Sequence, residues 1–184
     1  MVRPALSAAL ALVASCAGGG ADEGDTRPLE TRASADVFVE GTERYSDGAW
    51  RKHGSFVFRD ERGSVLAAGA YVDGLESGPW EETYDDGSTG RGAYRDGQRS
   101  GAWETFHSSG SSQDRGRYEN GLRSGTWISR RDDGSLLREA EYARGALDGR
   151  VVWYGPDGRT IDVERSGVYR DGERRAPLSS AARR

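Results

Sequence analysis

The chain has 184 residues, a formal net charge of −4 and 35% hydrophobic residues. This length is typical of a single domain, and the small net charge argues against a disordered chain, in which few hydrophobic residues accompany a large net charge. Acidic and basic residues are interspersed, so the sequence lacks the basic patch of a nucleic-acid-binding protein, and no nucleic-acid partner is expected. The 5 Trp and 8 Tyr residues are expected to supply the core.

The N-terminal residues 1–16 have the pattern of a secretory signal peptide. Arg3 supplies a positive charge, and a short apolar segment from Ala5 to Val13 follows it. This segment is too short to span a bilayer as a helix. It leads into Leu12-Val13-Ala14-Ser15-Cys16, which resembles the lipobox of bacterial lipoproteins. We therefore predict that Cys16 is lipidated. The alternative is an ordinary signal peptide with an incidental cysteine.

Cys16 is the only cysteine of the chain, so it cannot form an internal disulfide. Several acyl chains, palmitate among them, would hold the protein firmly on a membrane, whereas one chain gives only marginal binding. The residue that follows is Ala17 and not Asp. Under the lipoprotein sorting rule, this favours the outer membrane if the host has two membranes. The predicted localisation is therefore the cell envelope, with the membrane reached through the lipid anchor.

The next segment, residues 17–36, is rich in glycine and acidic residues and lacks hydrophobic periodicity. Such a composition is typical of a flexible linker. We predict that this segment is a tether that holds the following domain away from the lipid surface.

A repeat fills most of the remaining chain. Its anchor is a glycine two residues before a large hydrophobic residue, and successive anchors are 24, 23, 24 and 24 residues apart. A fixed period of this size indicates a repeat architecture. Each anchor is followed by a tyrosine at a nearly constant distance. The anchor glycines, the residues two positions later and the tyrosines are, in chain order, Gly54, Phe56 and Tyr71; Gly78, Trp80 and Tyr94; Gly101, Trp103 and Tyr118; Gly125, Trp127 and Tyr142; and Gly149, Val151 and Tyr169.

The spacing predicts that each unit is a two-stranded hairpin. Asp-Gly or Asn-Gly pairs mark the turns, as in Asp86-Gly87 and Asp96-Gly97. Glycine adopts positive φ freely, and Asp or Asn tolerates it. The predicted fold is all-β: a single elongated antiparallel meander of stacked hairpin repeats over residues 37–175. A leading half unit lies at residues 41–48, and a flexible tail at residues 176–184.

Side chains alternate faces along a strand, so each tyrosine shares a face with the residue two positions before it. That residue is Gly69, Gly92, Gly116 or Gly167 in four of the units. We expect a ring from a neighbouring strand to lie flat over each of these glycines. One strand of each unit carries Trp and the next carries Tyr, which predicts two aromatic columns. We interpret the columns as the core. Exposed columns that bind a glycan or peptide by stacking are the alternative.

This pattern resembles the MORN-repeat family, in its bacterial variant known as the YwqK-type antitoxin. The resemblance covers roughly residues 41–175 and departs from the consensus at both ends. Phe56 replaces Trp in the first unit, and Val151 replaces it in the last, where Trp153 follows on the same strand face. The matching residues of one unit are Gly78-Pro79-Trp80, Asp86-Gly87, Gly92-Ala93-Tyr94 and Asp96-Gly97.

The sequence contains no pattern that indicates catalysis. His53 precedes an anchor glycine and His107 lies in a turn, both at variable positions of the repeat. Neither has the partners of a Ser-His-Asp site. The Asp pairs at residues 85–86 and 132–133 lack the spacing of a calcium loop, and no Cys/His cluster has metal-ligand spacing. We therefore predict that the protein is not an enzyme and needs no metal or cofactor.

The leading hypothesis is a non-enzymatic lipoprotein that acts as a protein-interaction or envelope scaffold. Its partner would be an unidentified envelope protein or a glycan, and exposed residues such as Arg99, Glu104 and Arg123 would set specificity. The alternative, implied by the family resemblance, is an antitoxin or immunity-type protein that binds and neutralises a toxin. The lipobox argues against a cytoplasmic toxin but allows a toxin that acts in the envelope.

Overall fold

The computed structural model describes residues 20–34 and 36–178. Within them the chain forms fourteen β-strands and no helix. The sheet order is β1-β2-β4-β5-β6-β7-β8-β9-β10-β11-β12-β13-β14, with β3 paired to β2 beside this path. The predicted all-β antiparallel meander is confirmed. The strands are β1 Thr26–Ser34, β2 Val37–Ser46, β3 Ala49–Lys52, β4 Gly54–Asp60, β5 Val65–Val72, β6 Leu75–Thr83, β7 Thr89–Arg95, β8 Gln98–Phe106, β9 Ser112–Glu119, β10 Leu122–Arg130, β11 Leu136–Ala143, β12 Ala146–Trp153, β13 Gly167–Arg170 and β14 Glu173–Ala176.

The predicted signal peptide and the lipidation site at Cys16 lie outside the described residues. Across residues 20–34 and 36–178, no helix has the length and apolar character that a membrane span requires.

Strand β1 lies where the sequence predicted a flexible tether, so that part of the prediction is wrong. It pairs antiparallel with β2, with Leu29 opposite Gly41. Alternate residues of β1 are half-buried, and Leu29 and Ala33 pack against the core. Pro28 is compatible with the strand because β1 is the edge of the sheet and one face of an edge strand needs no hydrogen-bond donor. At the other end of the chain, Leu178 in the predicted tail is only 5% exposed.

The strands belong to two compact units. Of the described residues, the first unit holds 20–34, 36–87 and 93–98, and the second holds 88–92 and 99–178. Each unit has its own buried side chains. Those of the first are centred on Val39, Phe56, Phe58, Ala67, Tyr71 and Trp80. Those of the second include Trp103, Trp127, Ala140, Val151 and Val152.

Six hairpins close with two-residue turns of the kind that the sequence predicted. In each, both central residues have positive φ, at 49–51° for the first and 74–88° for the glycine. Positive φ at both positions defines the type I′ turn, whose twist matches that of the flanking strands. The turns are Asp47-Gly48, Asp73-Gly74, Asp96-Gly97, Asn120-Gly121, Arg144-Gly145 and Asp171-Gly172.

Wider turns close the other hairpins, and their aspartates accept hydrogen bonds from the turn itself. The N–H of Ser135 donates to Asp133 Oδ1 at 2.8 Å, and the N–H groups of Arg159 and Thr160 donate to Asp157 Oδ1 at 3.0 and 2.9 Å. The Thr160 hydroxyl also donates to Asp157 Oδ2. This hydroxyl bond and the backbone donors lower the pKa of Asp157 to about 2. The pKa values of Asp60, Asp132 and Asp133 are lowered by similar bonds.

The anchor glycines mark bulges in the sheet. Gly125 has φ 66°, and between Ser124 and Ile128 strand β10 advances four residues while β9 advances two, from Arg117 to Arg115. The same irregularity occurs opposite Gly78 and Gly149. An added Cβ at Gly125 would meet nothing within 4 Å. The glycine is therefore required by its backbone conformation and not by lack of space.

The turn at Arg144 tests this account of the backbone. Arg144 has φ 49° at a position where the other turns have Asp or Asn. Left-handed backbone costs most L-residues about 1–2 kcal/mol, and Asn less. We expect Arg144→Asn to raise the free energy of unfolding by about 0.5–1 kcal/mol, measured by urea denaturation. The matched control, Asn120→Arg, should lower it by a similar amount. Equal stability of both variants and the parent would contradict the interpretation.

Acid should weaken the wider turns. A carboxyl whose folded-state pKa is depressed stabilises the fold above its unfolded pKa, about 3.9 for Asp, and this contribution is lost as the pH falls toward the folded value. We expect the urea midpoint to fall between about pH 4 and pH 2, and to fall less steeply in Asp157→Asn. Asp85→Asn, which removes a charge from an earlier turn, is the matched control. An Asp157→Asn profile parallel to the parent profile would contradict the assignment.

Candidate functional site

In the first unit the aromatic residues form one interleaved row. Tyr71 lies between Phe56 and Trp80, with ring centroids 4.9 and 5.2 Å apart, and Trp80 meets Tyr94 at 5.8 Å. The interplanar angles of 71–89° define edge-to-face contacts, which aromatic pairs prefer to face-to-face stacking. The tyrosines and tryptophans therefore contact one another in a single row, and the predicted pair of columns is wrong. We call this arrangement the aromatic row.

The second unit has an aromatic row of the same kind. Tyr118 lies between Trp103 and Trp127 at 6.1 and 5.1 Å, and Trp127 meets Tyr142 at 6.4 Å. Trp103 and Trp127 are each 1% exposed, and the tyrosines are half-buried. Indole rings with this burial are not available to stack against a glycan or peptide, so the row supplies the interior of the unit.

Each ring of these rows lies on a glycine of the preceding strand. A Cβ added to Gly116 would lie 2.3 Å from the Trp127 ring, and one added to Gly92 would lie 2.0 Å from Trp103. Gly69 under Trp80 and Gly41 under Phe56 repeat the arrangement at 2.2 and 2.5 Å. The expectation that rings lie flat over these glycines is confirmed for the four pairs. The indole N–H groups also find acceptors on the strand beneath, since Trp80 Nε1 donates to Ala70 O and Trp127 Nε1 to Arg117 O, both at 3.1 Å.

The last unit replaces the pair of ring and glycine by a smaller pair. Ala140 stands where other units have glycine, and its partner across the strands is Val151. Both are at most 1% exposed. The methyl group of Ala140 fits because no ring has to pass over it. Gly167 was expected to lie under a ring, and this is wrong: an added Cβ would meet Ala176 O at 2.5 Å and the Arg174 side chain.

Trp153 ends the second unit in a different environment. It is half-buried, with the Arg138 guanidinium 4.9 Å and the Arg165 guanidinium 3.7 Å from its ring centroid. The loop after Trp153 is held by Ser166, which is fully buried and whose Oγ accepts from the Trp153 N–H at 2.9 Å. Tyr169 is half-buried beyond this loop and donates to Arg165 O at 3.2 Å. Trp153 therefore closes the core beneath a loop instead of continuing the row.

Cations cover the aromatic rows. The Arg99 guanidinium lies 4.2 Å from the Trp103 centroid, and the Arg123 guanidinium 4.1 Å from Trp127. Both occupy the position two residues before an anchor glycine. Burial opposes the charge of Arg123, but contacts with Tyr118 and Asp114 more than offset this, and its pKa is raised. Sequence reasoning missed this role, although the recurrence of a cation at one position of the repeat is a signal for it.

These contacts correct the prediction that Arg99, Glu104 and Arg123 are exposed specificity residues. All three are half-buried. Arg123 Nη2 lies 3.4 Å from Asp114 Oδ2, and Glu104 Oε2 lies 3.2 Å from Arg91 Nη2. They are parts of the sheet's own packing.

In the first unit the covering cation is Lys52. Its Nζ lies 5.6, 5.2 and 4.7 Å from the centroids of Phe56, Phe58 and Tyr71. Burial lowers the pKa of Lys52, and the carboxylates of Glu76 and Glu43 oppose that effect. Burial and the nearby Glu76 carboxylate raise the pKa of Tyr71.

Two buried carboxylates stand beside the first row. Glu43 is 5% exposed, and Arg27 donates to its Oε2 through Nε and Nη2 at 2.9 and 2.7 Å. Glu82 is 8% exposed and accepts from the hydroxyls of Tyr84 and Tyr94 at 3.2 and 2.5 Å. Hydrogen bonding of this kind is what makes a buried carboxylate tolerable.

The histidines lie apart from any such cluster. His53 Nδ1 is 3.5 Å from Asp73 Oδ1, a carboxylate that Arg44 Nη2 contacts at 2.6 Å. His107 Nε2 is 3.1 Å from the Arg130 carbonyl oxygen. Within the described residues, no group of three or more His, Cys, Asp or Glu is arranged to hold a metal ion.

The face of the second unit opposite its aromatic row is exposed. Side chains alternate along a strand, so the residue next to each ring or ring-bearing glycine points the other way. Thr126 lies across from Glu141, and Ala102 across from Arg117. We call this surface the outer face. It consists of Ala102, Arg117, Thr126, Glu141 and Arg150, all of them exposed.

No family model and no curated protein matches the chain.

The contrast between Gly116 and Ala140 allows a direct test of the packing. Gly116→Ala should destabilise the protein by about 1–3 kcal/mol, because its methyl group would occupy the space of the Trp127 ring. Trp127→Val alone should cost roughly 2–4 kcal/mol through the cavity it leaves. The double variant recreates the Ala140–Val151 pair. We expect it to be more stable than the sum of the two losses predicts, by about 0.5–3 kcal/mol in urea denaturation. Simple additivity would refute the account.

Proposed function

We propose that the protein is a non-enzymatic repeat protein of the cell envelope, anchored through lipid on Cys16, that acts as a scaffold by binding a partner on its outer face. The observation that carries this proposal is the division of labour between the two faces of the second unit. The rings on one face are covered by Arg99 and Arg123. The other face presents exposed side chains on neighbouring strands.

The chemistry of the outer face fits a polar partner. Arg117, Thr126, Glu141 and Arg150 offer guanidinium, hydroxyl and carboxylate groups at fixed positions on a sheet. Glu141 Oε2 also accepts from the Arg150 N–H at 2.8 Å, which restrains that side chain. A protein surface or a glycan can meet such groups through hydrogen bonds and ion pairs.

The likeness of the repeat to MORN units supports the same proposal. The two-residue turns, the rings seated on glycine and the period of 23–24 residues belong together as one structural unit. We propose that the chain is a variant of this family. The second candidate, an immunity-type protein that neutralises a toxin acting in the envelope, rests on that family likeness and would use the same outer face.

Anchoring is tested by mass spectrometry of the N-terminal peptide from membrane fractions. An acylated Cys16 at the mature N-terminus is expected, and Cys16→Ala should leave the protein unprocessed and unacylated. A soluble chain that begins at Met1 would overturn the anchoring and would move the search for a partner, a toxin included, to the cytoplasm.

Binding through the outer face is tested by photo-crosslinking in cells. A photoreactive residue at Thr126 should give a discrete crosslinked species, and one at Ser108, in an exposed turn, is the matched control. Identification of the species as an envelope protein supports the scaffold, and a toxin supports the immunity role. Equal yields from the two positions would contradict an outer-face site.

A further inference from the structure

Lys52 is the only lysine among the 26 Lys and Arg residues of the chain. It occupies the position two residues before an anchor glycine, where the second unit has Arg99 and Arg123. A positive charge over aromatic rings does not require lysine, because guanidinium stacks on rings at least as well. An amine differs from a guanidinium in that it can lose its proton and attack an electrophile.

The surroundings of the amine are apolar on the side of the rings. Lys52 is half-buried, and its Nζ lies 4.7–5.6 Å from the ring centroids of Phe56, Phe58 and Tyr71. Phe56 and Phe58 are 1% and 5% exposed. Among the described residues, no hydrogen-bond acceptor and no carboxylate within 4.0 Å is recorded for Nζ. An ammonium placed like this loses hydration without gaining a direct ion pair.

The charged and titratable groups around Lys52 come from four strands. Glu43 on β2 is its partner across the strands and is held by Arg27 on β1. Glu76 on β6 accepts from the Tyr71 hydroxyl of β5 at 3.4 Å. The two carboxylates favour the ammonium, whereas burial has the larger effect and favours the neutral amine. Removal of the Glu76 charge would therefore favour the neutral amine further.

We propose that Lys52 is a covalent modification site whose amine accepts an acyl group from an activated acyl donor of the acyl phosphate class. The neutral amine attacks the carbonyl carbon and a C–N bond forms. The bond between the carbonyl carbon and the phosphate oxygen breaks, and phosphate leaves with the electron pair. The nitrogen then loses a proton to water. The product is an uncharged amide, so the first unit loses the cation that stands over its aromatic row.

The test uses the full chain and acetyl phosphate, with the extent of acetylation at Lys52 followed by peptide mass spectrometry. At about pH 8, where an ordinary lysine is almost fully protonated, Lys52 of the folded protein should react at least about threefold faster than Lys52 of the same chain in urea. Lys52→Arg should show no adduct at this position. A folded-state rate equal to or below that of the unfolded chain would overturn the proposal.

A pair of variants separates a reactive amine from a merely structural one. Glu76→Gln keeps an acceptor for the Tyr71 hydroxyl but removes the negative charge. It should speed acetylation of Lys52 at about pH 8, and should lower the pH at which the rate is half maximal. Glu81→Gln on the same strand, on the opposite face, is the matched control and should leave the rate unchanged. No acceleration in Glu76→Gln, with folding retained, would also overturn the proposal.

Discussion

The contact between an aromatic ring and the bare backbone of a glycine is the constraint on which both units depend. In a sheet without a second layer, side chains on one face have to cover one another. An indole that lies flat on Gly116 or Gly92 gains the burial of a core residue while remaining on the surface of its own sheet. Neighbouring strands are about 4.8 Å apart, so the next tyrosine meets the ring at its edge. A methyl group under the ring would prevent this contact.

Several other features follow from the seated ring. The anchor glycine creates a bulge two residues before it, and the Trp127 indole donates to the carbonyl of Arg117 on the strand beneath. A cation two residues before the same glycine closes the row from above, as Arg123 does over Trp127. The end of the chain shows the same dependence in reverse, because Ala140 and Val151 change together, one gaining a methyl group where the other lacks a ring.

This packing bears on function by dividing the available side chains. Aromatic residues and arginines, which are frequent in binding sites, are used here inside each unit, so their presence in the sequence is poor evidence for a binding groove. The polar outer face of the second unit and the half-buried amine of Lys52 remain. The first offers a surface for a partner and the second offers a reactive group. Neither depends on the rings being exposed.

The sequence by itself determined the repeat, the turns and the glycines beneath the rings, because these follow from local rules of φ and of alternation along a strand. It did not reveal strand β1, since Leu29 and Ala33 become core residues only when β2 lies beside them. Nor did it show that Arg99 and Arg123 cover rings, or that the aromatic residues form one row. Those features depend on the bulges and on which strand each ring reaches across, and only the tertiary structure decides such contacts.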